Sequence, residues 1–253
     1  MENQDFWIAV SYFFLTLFWV PAYFFIVRWG FIEKTYGMPI VAMLGNWPWE
    51  WIYALKLDSP CPDVWINCPE RALQLGAFSS MFLDAFIVYT VFRFGRDKFS
   101  NPFIRKYYYP ILIFGLIASF AIQYTFVTEV GFPNIHGLQV REGGTPDFIP
   151  GDEGGSYSAY ILTFVMGVLF IHMFTERNSL EGQSFMIAML MLLGNVAGYP
   201  VLAILNEITP LLAVLFYLTL FVNIMYAVMT YQKSKELGIN PFKRWYVPAV
   251  PLS

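Results

Sequence analysis

Charged residues are scarce in this sequence. Only 33 of its 253 side chains are charged, 15 Lys or Arg and 18 Asp or Glu. This is about half the share that is usual in soluble domains. A net charge of −3 without a basic stripe disfavours a nucleic-acid partner. Hydrophobic residues make up 57% of the chain and aromatic residues 20%, so a soluble fold would expose large apolar patches. The composition therefore indicates a polytopic membrane protein.

Several signatures of other protein classes are also missing. The last apolar segment has no lysine, which excludes a retinal protein because retinal needs a Schiff-base lysine. Neither a Cys/His cluster nor an Asp-Asp-x-x-Asp motif is present, so we expect no metal site and no other cofactor. The absence of an internal repeat gives no support to an inverted-repeat transporter.

Seven apolar segments are each long enough to cross a hydrocarbon core of about 30 Å. They cover residues 6–27, 39–55, 72–94, 108–127, 157–174, 184–205 and 210–231. The segments are continuously apolar rather than alternating, which indicates helices rather than barrel strands. We therefore predict an all-α fold in which residues 1–253 form one domain, a bundle of seven transmembrane helices.

Positive charges fall mostly on one side of this predicted topology. Three of the 15 Lys and Arg residues lie on the side of the N-terminus, and 12 lie on the opposite side. The positive-inside rule then predicts a lumenal or external N-terminus and a cytoplasmic C-terminus. We expect an integral protein of the endoplasmic reticulum, or of the plasma membrane in a bacterium. The basic and aromatic stretch 240–245 is expected to lie on the membrane surface.

The two cysteines, Cys61 and Cys68, both fall in one outer loop of this topology. Because that side of the membrane is oxidising, a structural disulfide between them is expected. Two free thiols without a role are the alternative.

Four predicted spans carry a polar residue near the middle of the bilayer. Glu50, Asp84, Asn195 and Asn223 lie about 12 to 16 Å from the inner ends of their helices at 1.5 Å per residue. The asparagines have a plain explanation as interhelical hydrogen-bonding groups. Carboxyl groups cost several kcal/mol at this depth, and no Lys or Arg lies there. We therefore expect at least one carboxyl to stay protonated, as a proton donor must.

The second span is the most informative segment. Asn46, Glu50 and Tyr53 follow at i, i+4 and i+7 and share one helix face. The Asn46 amide and the Tyr53 hydroxyl are expected to bond and orient the Glu50 carboxyl. Three tryptophans within residues 47–51 are expected to surround a cation, because aromatic faces stabilise positive charge. An acid among aromatic groups in a dry cavity is suited to acid-initiated carbocation cyclisation.

These residues resemble a known family. The run 34–38 (Lys-Thr-Tyr-Gly-Met), followed by Asn46, Trp49–Glu50 and Tyr53, is similar to the signature of the integral-membrane terpene cyclases of meroterpenoid pathways, the paspaline- and pyripyropene-type enzymes. Weaker similarities occur at residues 84–89 and 92–94, at 177–184, and in the last span with Asn223 and Tyr226. The resemblance covers nearly the whole chain.

The resemblance implies a metal-independent enzyme of secondary metabolism, an isomerase or lyase, that cyclises a hydrophobic prenylated precursor. Glu50 would protonate an epoxide or an alkene. The family's functional aspartate in the last helix is replaced here by Asn223, so Asp84 is a candidate for the second carboxyl and Asn223 for an orienting group. A member of the family with an altered reaction, or without cyclase activity, is the third alternative. Residues expected to bind or orient the substrate are Asn46, Trp49, Tyr53, Tyr89, Asn195 and Tyr226.

Two other classes of function remain open from the sequence. One is a different membrane isomerase or cyclase, either similar to sterol isomerases or acting on carotenoids. The other is a lipid-binding or transport protein that uses the same aromatic cavity without chemistry. Formation of a cyclised product distinguishes the first predicted function from a binder.

Overall fold

The computed structural model describes residues 2–56, 69–125, 153–205 and 209–244, which form seven α-helices and two short 3₁₀ turns. The helices are α1 (Glu2–Ile32), α2 (Ile40–Lys56), α3 (Pro69–Phe94), α4 (Pro102–Thr125), α5 (Glu153–Arg177), α6 (Phe185–Leu205) and α7 (Pro210–Glu236). A helix lies at each of the seven predicted segments, and the described ranges contain no strand. The all-α prediction is therefore confirmed.

Five of the helices, α1, α3, α4, α5 and α7, contain stretches long and apolar enough to cross a membrane. The apolar stretches of the other two helices are shorter. Helix α2 has 17 residues, which corresponds to about 26 Å. The apolar part of α6 that the structure describes covers only Phe185–Pro200. The polytopic membrane architecture is thus supported by five helices rather than by all seven.

Local sequence signals fix the ends of α7. The Thr209 hydroxyl accepts a hydrogen bond from the backbone N–H of Leu212 at 3.2 Å, which caps the first turn. Pro210 follows at the first helical position, where its missing N–H costs nothing. At the other end, Gly238 adopts a φ of +67°, a left-handed conformation that commonly terminates helices.

Six helices close into a ring. Their contacts run α1–α3–α2–α5–α7–α6 and back to α1, while α4 packs against α2 from outside. Helix α4 accordingly buries only Tyr108 and Leu112 and exposes residues such as Phe114 and Ile117. Such an apolar outer surface is suited to a bilayer, because lipid tails are as apolar as the side chains that contact them.

The outer connections lie outside the described residues. They include residues 57–68, with Cys61 and Cys68, and residues 126–152. The expected disulfide between the two cysteines therefore stays a prediction.

One end of the bundle is closed by a set of loop contacts that we call the loop clamp (residues 33–37, 177–183 and 244). An Arg244 Nη2 donates to Glu33 Oε1 at 2.8 Å and to the Leu180 carbonyl at 3.0 Å. The Gly182 N–H donates to the other Glu33 oxygen at 2.7 Å. Two segments that the resemblance singled out, 34–38 and 177–184, thus meet at this end.

The expectation that residues 240–245 lie on the membrane surface is wrong for Arg244. Its side chain is fully buried, and its guanidinium lies 3.9 Å from the centre of the Trp29 ring. Burial lowers the pKa of Arg244, and the Glu33 carboxylate opposes that shift. The buried Glu33 carboxylate and the Leu180 carbonyl, which also accepts from the Gln183 N–H at 2.9 Å, therefore hold this arginine inside the bundle.

Close approach of the two loops requires glycine at the point of contact. A Cβ atom on Gly37 would lie 2.7 Å from the Gly182 carbonyl oxygen, and Gly182 itself has a φ of +71°. Arg177 spans the same contact, because its Nη1 donates to the Tyr36 and Glu181 carbonyls at 3.0 and 2.9 Å. The clamp is therefore built from paired charges and satisfied backbone groups.

Candidate active site

A cavity of about 160 Å³ lies inside the helix ring. Five helices line it, with residues drawn from 12–23 of α1, 46–53 of α2, 76–80 of α3, 159–163 of α5 and 194–198 of α6. In α1, α2, α5 and α6 these residues lie away from the end that joins the loop clamp. The cavity thus occupies the half of the bundle that contains the start of α1.

Two carboxyl groups lie at this cavity. Glu50 is part of its wall and is 5% exposed, whereas Asp84 lies behind the wall and is fully buried. The Asn46 amide nitrogen donates to Asp84 Oδ2 at 2.6 Å and to the Tyr23 hydroxyl at 2.9 Å. The Tyr23 hydroxyl in turn donates to Glu50 Oε1 at 3.4 Å. One hydrogen-bond network therefore connects both acids across α1, α2 and α3.

The expected bond from Asn46 to Glu50 is not formed. An amide nitrogen carries two hydrogens, and here they are directed to Tyr23 and Asp84. The two acceptors lie on neighbouring helices, Tyr23 on α1 and Asp84 on α3, rather than on α2 itself. Tyr53 shares the predicted face and lines the cavity with Asn46 and Glu50.

Tyr23 is the site residue that sequence reasoning missed. It lies on α1, which is apolar and aromatic on all sides, so no spacing in the sequence distinguishes the inward-facing tyrosine. Only the packing of α1 against α3 and α6 defines which face lines the ring.

The aromatic wall differs from the predicted one. Trp49 lines the cavity, stacks on Tyr53 with ring centres 4.1 Å apart, and donates from Nε1 to the Ser158 hydroxyl at 3.0 Å. Trp47 and Trp51 pack against each other instead and are not part of the lining. Two of the three tryptophans fall on other faces because residues one or two apart on a helix point in different directions.

Trp19 of α1 supplies a second large aromatic surface to the cavity. It packs against Tyr23 with ring centres 5.6 Å apart. Its indole lies so close to α6 that a Cβ atom on Gly194 would come within 2.6 Å of it. The neighbouring Asn195 lines the cavity as well. The glycine therefore lets α6 approach Trp19.

Asn223 and Tyr226 do not line the cavity. Both side chains are fully buried, and Tyr226 donates to Gln183 Oε1 at 3.0 Å, towards the loop clamp. Asn223 lies against Gly167 of α5, and in the described part of the chain neither of its amide atoms has a hydrogen-bond partner. The structure therefore separates these α7 residues from the cavity lining.

Tyr89 lies outside the cavity lining. Its side chain is 51% exposed and stacks on Phe31 with ring centres 5.7 Å apart. It follows Asp84 by five residues, which turns it about 140° around α3 at 100° per residue. Of the predicted site residues, the structure places five in the cavity lining: Asn46, Trp49, Glu50, Tyr53 and Asn195. Asp84 is connected to this group by its hydrogen bond with Asn46. Tyr89, by contrast, is not part of that lining.

Within residues 2–56, 69–125, 153–205 and 209–244, no three His, Cys, Asp or Glu side chains form a group suited to a metal ion. In the same ranges, neither Glu50 nor Asp84 forms an ion pair. The two acids are bonded only by neutral groups, the Asn46 amide and the Tyr23 hydroxyl.

These features define a helical membrane protein whose interior holds an aromatic cavity with a buried pair of acids. The family comparison is consistent with that class. The family model of the Pyr4-like transmembrane terpene cyclases matches residues 4–236, and the chain belongs to this family.

Three fungal proteins illustrate the similarity. The chain is 25% identical over 171 residues to the Pyr4-family terpene cyclase mfmH of Annulohypoxylon moriforme, an alignment that covers 67% of this chain and 59% of that protein. It is 28% identical over 116 residues to the terpene cyclase cle7 of Aspergillus versicolor, covering 42% and 44% of the two chains. It is 31% identical over 102 residues to the terpene cyclase ascF of Acremonium egyptiacum, covering 40% and 33%.

The chain therefore spans about three-fifths or less of the length of these relatives. No solved structure matches it.

Proposed function

We propose that this protein is a membrane terpene cyclase that starts the cyclisation of a prenylated substrate by protonating an epoxide or an alkene. The observation that carries the proposal is Glu50, a carboxyl group in the wall of an aromatic cavity, whose hydrogen bond within the described residues comes from the neutral Tyr23 hydroxyl. Membership of a family of terpene cyclases supports the same reaction class.

Glu50 is suited to the role of acid. A carboxylate without a counter-charge is costly in a dry interior, so the neutral form is favoured there. A neutral carboxylic acid can pass its proton to the epoxide oxygen or to the terminal alkene carbon. This leaves a tertiary carbocation on the substrate and a carboxylate on Glu50.

The cation would be sheltered by the aromatic faces of Trp19, Trp49 and Tyr53, which line the same cavity. After ring closure, loss of a proton from the substrate forms the final alkene. The Glu50 carboxylate, which lines the cavity, accepts that proton and is restored to the neutral acid. Asp84, joined through Asn46, is proposed as the second acid of the network.

The size of the cavity agrees with a terpenoid substrate. Its volume of about 160 Å³ is close to that of an engineered protein cavity of about 150 Å³ that binds benzene. A space of this size holds about one six-membered ring. We infer that the reacting end of the prenyl chain occupies the cavity while the rest of the substrate lies outside it.

The proposed membrane arrangement retains seven spans, with α2 and α6 crossing as the short members of the bundle. The N-terminus is lumenal and the loop clamp faces the cytoplasm, in agreement with the distribution of Lys and Arg. The cavity then lies in the lumenal half of the membrane, and the protein is proposed to reside in the endoplasmic reticulum.

The test is conversion of prenylated aromatic substrates, with and without a terminal epoxide, by membranes that contain the protein. We expect a cyclic product with the mass of the substrate, identified by mass spectrometry and NMR. Glu50→Gln should lower kcat by about 10²- to 10⁴-fold, the usual contribution of a general acid. Glu176→Gln, at an exposed position of α5, is the matched control and should keep the activity. Unchanged turnover by Glu50→Gln would rule out the proposed acid.

A further inference from the structure

We propose that Tyr23 is a positioning residue that determines which oxygen of Glu50 carries the acid proton and stabilises the carboxylate formed on proton transfer. The proposal rests on the proposed function of Glu50 as the acid. It concerns a residue on a different helix that no motif in the sequence indicates.

The hydrogen bonds of the structure give Tyr23 one role towards each neighbour. Asn46 Nδ2 can only donate, and it lies 2.9 Å from the Tyr23 oxygen and 2.6 Å from Asp84 Oδ2. Tyr23 therefore accepts from Asn46. Its own hydrogen remains free for Glu50 Oε1, which lies 3.4 Å away.

The direction of this bond decides where the proton of Glu50 resides. The Tyr23 bond favours Oε1 as the carbonyl oxygen of the neutral acid, because that oxygen is the better acceptor, and so assigns the proton to Oε2. The 3.4 Å separation is long for an O–H···O bond. Bonds of this kind are often long in a free enzyme and shorten when charge develops.

The Tyr23 hydroxyl is held firmly in place. Its side chain is 3% exposed, and its ring packs against Trp19 with the centres 5.6 Å apart. Asn46 holds the oxygen from the other side. The hydroxyl can therefore act on Glu50 without reorganisation during the reaction, which is the condition for effective electrostatic stabilisation.

The contribution of Tyr23 must grow as the proton leaves. A hydrogen bond to a carboxylate is stronger than one to a neutral carbonyl. The bond therefore stabilises the transition state more than the bound substrate, and its loss should lower kcat with little effect on KM.

The kinetic test compares Tyr23→Phe with Tyr108→Phe. The first change keeps the ring against Trp19 and removes only the hydroxyl. The second removes an equally buried hydroxyl, one that donates to the Val91 carbonyl at 2.8 Å outside the cavity. We expect Tyr23→Phe to lower kcat by roughly 10- to 100-fold and to change KM by less than about twofold. Hydrogen bonds to charged groups contribute free energies that correspond to this decrease in rate. Tyr108→Phe should keep the kcat of the unmodified protein.

An infrared measurement tests the geometry without any turnover. The carbonyl stretches of the two protonated acids are assigned by their loss in Glu50→Gln and in Asp84→Asn, in protein reconstituted in nanodiscs. Removal of the bond to Oε1 should move the Glu50 band to higher wavenumber in Tyr23→Phe. Tyr108→Phe should leave that band in place.

The outcomes separate the two proposals. An unshifted band with unchanged kcat in Tyr23→Phe, while Glu50→Gln is inactive, would refute the role of Tyr23. Equal loss of kcat in both tyrosine variants would make the effect merely structural and also refute it. If the unmodified protein cyclises nothing but the band shifts, the proposed function fails while the Tyr23–Glu50 bond is upheld.

Discussion

The two ends of the bundle bury acidic groups in different ways. In the loop clamp, Glu33 accepts from Arg244 and from a backbone N–H, so a full negative charge is compensated. At the cavity, the hydrogen bonds that Glu50 and Asp84 form within the described residues come from a hydroxyl and an amide. A compensated carboxylate holds segments together and has no proton to give. For an acid without a counter-charge the neutral form is favoured in a dry interior, and the proposed function assigns the release of that proton to Glu50.

The largest effect is expected from breaking the charge pair of the clamp. Arg244→Met would leave Glu33 buried without its partner, and such losses cost about 3 to 5 kcal/mol. The midpoint of thermal unfolding in nanodiscs should fall accordingly. Lys243→Met, at an exposed neighbouring position, should leave it unchanged. An unaltered midpoint for Arg244→Met would mean that the pair does not stabilise the fold.

A smaller effect is expected from changing the shape of the cavity. A methyl group at Gly198 would lie 3.1 Å from Leu15 Cδ1 and 3.7 Å from the Tyr160 hydroxyl, both part of the lining. Gly198→Ala should therefore lower kcat/KM by about 10-fold for substrates that fill the cavity, the usual effect of one methyl group in a pocket. For a substrate one isoprene unit shorter, the same variant should show a smaller decrease in kcat/KM.

Gly115→Ala is the control for this change. The three atoms nearest to a Cβ atom there all belong to Leu44, with Cδ1 at 2.8 Å, in the contact between α4 and α2. Its kcat/KM should stay the same for both substrates. An equal decrease in kcat/KM in the two glycine variants would show that helix packing, rather than cavity shape, is the cause.

The smallest effect is expected at Asn223. Its amide is buried without partners in the described part of the chain, and such groups cost about 1 to 3 kcal/mol. Asn223→Leu removes this cost, so the midpoint of unfolding should stay level or rise. Because Asn223 is not part of the cavity lining, kcat should change by less than about threefold, a small shift in barrier. A large loss of kcat would instead place α7 in the reaction.

The sequence was most informative where the signal is local. The helices follow from continuous apolar segments, and the grouping of Asn46, Trp49, Glu50 and Tyr53 at the cavity follows from helical spacing on α2. Both depend on residues within two turns of each other. For this reason the all-α fold and the grouping of these four residues could be predicted.

The remaining part of the site depends on contacts between distant segments. Tyr23 and Trp19 come from a helix that is apolar on every side, so their inward direction has no local signature. Tyr89 shares a helix with Asp84 but lies on another face. The environment of Arg244 depends on a partner 211 residues earlier in the chain. Composition near the C-terminus could not reveal that partner.

The separation between Glu33 and Arg244 also has a consequence for biosynthesis. The ribosome adds about 5 to 20 residues per second, so the 211 residues between them require roughly 10 to 40 s of translation. During that interval Glu33 has been made and its arginine has not. We therefore expect a chain that stops before Arg244 to contain all seven helices and still lack the last contact that completes its assembly, which protease sensitivity of the truncated chain in microsomes would reveal.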